Sequence, residues 1–147
     1  MMLLLIAAAV QAATPAKTVP GDTTKAPATL GPIGKQAMPA RGCAAYLWST
    51  GDRALVAMAT ADSARLRLAV DGKPVDYARV DEAGPGGYGF AGVTTYRGGD
   101  LTVALDMTIV TREDLASGAM VPNATLRLER SGRDTIVLPV AGMIGCV

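Results

Sequence analysis

Asp76, Asp81, Glu82, Glu113 and Asp114 are the carboxylates of this chain with the type and neighbourhood for acid–base work. Two such groups facing each other across a cleft would cleave a glycosidic bond. Asp76, however, falls opposite Arg67 in a predicted hairpin. Asp81-Glu82 leads into Gly84-Pro85-Gly86-Gly87, where acids are ordinarily solvated. No catalytic pair is therefore expected. Calcium is not expected either, because the further oxygen ligands of an established loop pattern are missing around Asp81-Glu82.

The chain has no histidine. Ser-His-Asp and Cys-His catalysis and histidine-based zinc sites fall away with it. The glycine stretch at 84–87 lies between predicted strands, with no helix after it to present amides to a phosphate. Met58, Met107, Met120 and Met143 show no clustered spacing, so no copper–thioether site is expected. The sequence thus assigns no catalytic residue, no metal site and no cofactor.

The two cysteines, Cys43 and Cys146, bracket the part of the chain that reads as folded. There is no Cys-x-x-Cys to depress a thiol pKa, so they are expected to form one structural disulfide. Bridges of that kind belong to oxidising compartments. The N-terminus agrees, since the apolar run Leu3 to Val10 is too short to span a bilayer but suits a secretory leader. Val10 and Ala12 supply the small or apolar residues of a cleavage site, although no basic residue precedes the run. Residues 1–13 are read as a cleaved signal peptide. Lys73 as the only lysine after Cys43, with abundant Ala, Gly and Val, suggests a bacterial origin and so a periplasmic or secreted protein.

Residues 14–42 hold prolines at 15, 20, 27, 32 and 39 and few bulky apolar side chains, which predicts a disordered spacer. The spacer has Lys17, Lys25, Lys35 and Arg41 against Asp22 alone, whereas the remainder is close to neutral. Nucleic acid as a partner is not expected, because phosphate binding needs a dense basic face.

From Cys43 onward the hydrophobic period is two. Leu101, Val103, Leu105, Met107 and Ile109 alternate with more polar neighbours, the pattern of a half-buried strand. A two-residue loop at Gly98-Gly99 would set Tyr96 against Leu101, Thr94 against Val103, Phe90 against Met107 and Tyr88 against Ile109. A second hairpin around Asp71-Gly72 places Leu68 opposite Val75, Leu66 opposite Tyr77 and Arg67 opposite Asp76. A third, around Ser131-Gly132, requires a three-residue loop to bring Leu126 and Leu128 to the Ile136/Leu138 side. Cys43 to Trp48 and Arg53 to Ala59 add two strands, and Ala141 to Val147 extends or adds one. Glu113 to Ala116 is read as a helical turn ended by Gly118. Trp48 is expected to anchor the core beside the disulfide, leaving Tyr46 to reach solvent.

About seven or eight strands with frequent turns predict an all-β domain over 43–147, an antiparallel β-sandwich or small β-barrel. The functional expectation is a non-enzymatic module binding a protein or envelope component. Its candidate interaction surface comprises Tyr46, Asp81, Glu82, Glu113 and Asp114, with the segments Ala83 to Gly87 and Arg112 to Asn123. The alternatives are a carboxylate-dependent hydrolase and an inhibitor of an exported enzyme.

Overall fold

A computed structural model of the protein describes residues 29–147. The expected signal peptide, and residues 14–28 of the expected spacer, lie outside the described residues. Nine strands are present: β1 (Leu30–Gly31), β2 (Cys43–Ser49), β3 (Leu55–Thr60), β4 (Arg65–Val70), β5 (Lys73–Ala83), β6 (Val93–Gly98), β7 (Leu101–Val110), β8 (Gly118–Arg130) and β9 (Ile136–Cys146). Strands β2 to β9 pair in chain order, all antiparallel, and β9 returns to pair with β2. The result is a closed eight-stranded meander barrel, with β1 as one extra strand on β4. Closure leaves no long free edge among the barrel strands.

Alternation along each strand decides what lies inside. Leu47, Leu66, Leu68, Tyr96, Leu101, Val103, Leu105, Leu126 and Leu128 are essentially fully buried and form one core cluster. Eight strands enclose an interior about wide enough for side chains to fill. At one mouth the segment 84–92 folds inward and Phe90 joins that cluster. Ladder irregularities at Leu47/Trp48, Arg79/Asp81, Thr108/Val110 and Val121/Ala124 supply the local bending that closure needs.

The β4–β5 hairpin has the expected register, including Arg67 opposite Asp76. Its loop residues Asp71 (φ 53°) and Gly72 (φ 81°) both adopt positive φ, as a type I′ turn requires. The β8–β9 hairpin also follows expectation, with Leu126 opposite Leu138 and Leu128 opposite Ile136. The β6–β7 hairpin differs. Its loop is Gly99-Asp100, so Tyr96 faces Val103 and Thr94 faces Leu105. Tyr88 and Phe90 precede β6 and sit in a tight turn closed by the Gly87–Phe90 bridge.

Two further expectations are corrected. Residues 113–116 form no helix; Leu115 N–H donates only to Arg112 O, and Gly118 opens β8 because its backbone is taken up by the β9 ladder. Residues 29–42, expected within the spacer, lie against the barrel as an arm. At residue 29 the arm lies beside the β4–β5 turn, where Thr29 N–H donates to Asp71 Oδ1 at 3.0 Å. It then packs Ile33 onto Ala44, Met58 and Ala69 on the outside of the sheet, and reaches β2 through Gly42.

Candidate functional site

The ladder that closes the barrel also brings the cysteines together. Cys43 and Cys146 are direct partners in the β2–β9 pairing and are joined by a disulfide, with Cα atoms 4.1 Å apart. Around this seam the outer surface has an unusual composition. No residue of β2, β3 or β9 is charged. Charge flanks these strands, with Arg65 and Arg67 on β4, Lys73, Asp76, Arg79, Asp81 and Glu82 on β5, and Arg127, Glu129 and Arg130 towards the end of β8.

Pairing builds a row across the uncharged face: Val110 on β7 opposes Met120 on β8, Met120 opposes Met143 on β9, Met143 opposes Tyr46 on β2, and Tyr46 opposes Met58 on β3. Beside this row Trp48 pairs with Ala141 and Leu55. Met143 is 44% exposed and Val137, further along β9, 57%. The arm covers the β3 end of the row and passes its rim at Met38, which is 51% exposed, before it enters β2.

Tyr46 is half-buried on this face, not free in solvent as expected. Its hydroxyl donates to Ala37 O at 3.0 Å and also approaches Met38 Sδ at 3.4 Å, fastening the arm to β2. Burial pushes the Tyr46 phenol above its ordinary pKa, so it stays protonated and neutral. Trp48 does not anchor the core; it is half-buried on the same outer face. The scattered methionines are brought together by strand pairing, contrary to their sequence spacing, except that Met107 faces the core.

The acidic candidates lie elsewhere. Asp81 and Glu82 are exposed at the end of β5, and Glu82 is paired with Arg79 at 2.9 Å. Glu113 and Asp114 are exposed in the β7–β8 loop, where Arg112 grips both oxygens of Asp114 at 2.9 and 2.8 Å. Asp76 accepts two hydrogen bonds from Arg67, at 2.7 and 2.9 Å, and that guanidinium holds its carboxyl below the usual carboxylate range. Tyr46 therefore belongs to the uncharged face, and the four expected acids do not. A cleft of about 100 Å³ lies beside Arg67, lined also by Met58, Thr60, Ser63, Arg65 and Asp76, and more open depressions of about 280, 330 and 440 Å³ lie elsewhere; none of them is lined by Tyr46, Trp48, Met120 or Met143.

Among the described residues no group of three or more Cys, Asp or Glu could hold a metal, and no helix is long and apolar enough to cross a membrane. No family model, curated protein or solved structure matches this chain.

Proposed function

We propose that this protein is an exported, non-enzymatic binding module that engages a protein of the cell envelope through the uncharged outer face of β2 and β9, with Met120 of β8 beside it. The observation that carries the reading is the absence of charge from three adjoining strands, β3, β2 and β9. Trp, Tyr and Met are the residues enriched where proteins meet, and charge is depleted there. Met120, Met143, Tyr46 and Trp48 supply that composition in one place. The disulfide supports an oxidising compartment, the periplasm or the exterior. The near-neutral barrel favours a protein partner over nucleic acid. Carboxylates that are exposed, with Asp76, Glu82 and Asp114 already held by arginines, favour binding over hydrolysis.

The test is site-specific photo-crosslinking in envelope extracts, with the probe placed at the exposed Val110, opposite Met120 in the row, or at Lys73 on the charged β5. The proposal expects a discrete adduct from position 110 only, competed away by excess wild-type protein but not by Met143→Glu. Equal adducts from both positions, adducts insensitive to Met143→Glu, or only self-adducts would overturn it.

A further inference from the structure

The same face brings three thioether sulfurs within reach of one another, and this has a chemistry of its own that does not depend on a protein partner. Met120 and Met143 are directly opposed across the β8–β9 ladder, which sets their Cβ atoms about 4.5–5.5 Å apart. Met38 arrives from the arm and lies over Gly145. Its Sδ and Cε stand 3.6 and 3.2 Å from the point a Cβ would occupy on that glycine. Any larger residue at 145 would crowd Met38 away. Gly145 is two residues beyond Met143 on the same face of β9, roughly 7 Å along the strand. The unbranched methionine side chain, with three rotatable bonds, spans such an interval.

The electrons needed for coordination are available. Tyr46 has a single hydroxyl hydrogen and two acceptors near it, Ala37 O at 3.0 Å and Met38 Sδ at 3.4 Å. The carbonyl is the nearer and stronger acceptor, which leaves the sulfur lone pairs free. Met38 and Met143 are about half exposed, so an ion meets them without unfolding the arm. Thioethers are soft, neutral donors and select Cu(I) over harder divalent ions. Nothing in the surroundings broadens that choice: the chain has no histidine, both cysteines are in the disulfide, and β2 and β9 carry no carboxylate.

We propose that Met38, Met120 and Met143 form a three-thioether site for Cu(I), with Tyr46 positioning the arm that delivers Met38. Coordination is a simple ligation, sulfur lone pair to a closed-shell monovalent ion, and no proton or electron is transferred. The register of the β8–β9 and β2–β9 ladders assembles the site, so it needs no local sequence motif.

The experiment uses the purified chain labelled at the methionine ε-methyl groups. It is titrated with Ag(I) as a redox-inert probe, and then anaerobically with Cu(I) against a competing chelator, using ascorbate as reductant so that the disulfide persists. The expected result is saturation at one ion per chain, with the Met38, Met120 and Met143 methyl resonances moving together while Met58 and Met107 stay in place. Met143→Leu and Met38→Leu should each weaken binding about tenfold or more. These swaps nearly conserve volume and leave the fold intact, which the undisturbed methyl spectrum would verify. Movement of a single methyl, movement of every methionine with several ions bound, or unchanged affinity in Met143→Leu would overturn the proposal.

Discussion

At the scale of single residues, Tyr96 carries the clearest signature of the closed interior. It is 1% exposed, and burial pushes its phenol up to about 12 from an ordinary 10.0. The unfolded chain releases this proton near pH 10 while the folded chain retains it, so the unfolded state binds fewer protons in that interval. Stability is therefore fully present below pH 10 and falls as pH rises towards 12, by roughly 2–3 kcal/mol. Urea denaturation across that range should show this loss in the wild type and its reduction in Tyr96→Phe. The Arg67–Asp76 pair works in the opposite direction. A depressed carboxyl stabilises above its unfolded pKa and loses that contribution as pH falls through the folded value. The pair is more than a third exposed, so solvent screening limits Asp76→Asn to a loss of at most about 1 kcal/mol at neutral pH, shrinking with added salt.

At the scale of elements, the arm and the closing ladder carry the testable content. Ile33 is buried against Ala44, Met58 and Ala69, and Ile33→Ala should lower stability by about 2 kcal/mol or more. The same change should release Tyr46 fluorescence and mobility as the arm lifts, while the core-facing methyl of Met107 stays in place. Gly142 sits where a Cβ would come 1.8 Å from Tyr46 O. Gly142→Ala must therefore push β2 and β9 apart, at a cost of about 1–3 kcal/mol or more, read as a lowered denaturation midpoint.

The elements also show where the sequence is legible. Asp71-Gly72 names its own turn, and alternation on both flanks fixes the register. At Gly98-Gly99-Asp100 the alternation survives a two-residue slide, because parity alone decides which face is apolar, and so the loop moves by one residue without exposing the core. Residues 113–123 mislead because the bulge between Val121 and Ala124 interrupts the period of two and acids mimic a helix start. The arm misleads because its prolines mask a single apolar anchor, Ile33. The uncharged face is hidden most thoroughly, since its row of residues exists only once β9 pairs with β2, and nothing local in Met120, Met143 or Tyr46 announces that partnership.

For the whole molecule, closure is the event that joins fold to function. One ladder pairs the first and last barrel strands, stands beside the disulfide, and lays Met143 against Tyr46. Cys43 and Cys146 are 103 residues apart, so the bridge constrains nearly the whole domain in the unfolded state. Replacing both by serine should cost up to about 4.7 kcal/mol in the chain-entropy account. The barrel should still close, because six other residue pairs hold the same ladder. The uncharged face is likewise a property of the closed form. An open sheet would separate β2 from β9 and split the face in two.

The most direct measurement is the set of through-space contacts from the Met143 ε-methyl in solution. Closure with this register predicts contacts to the Tyr46 ring on one side and to the Met120 side chain on the other, in the oxidised protein. A Met143 methyl that meets neither, or a Tyr46 ring whose contacts lie with residues other than those of β3, β9 and the arm, would contradict the fold's closure and the face built upon it.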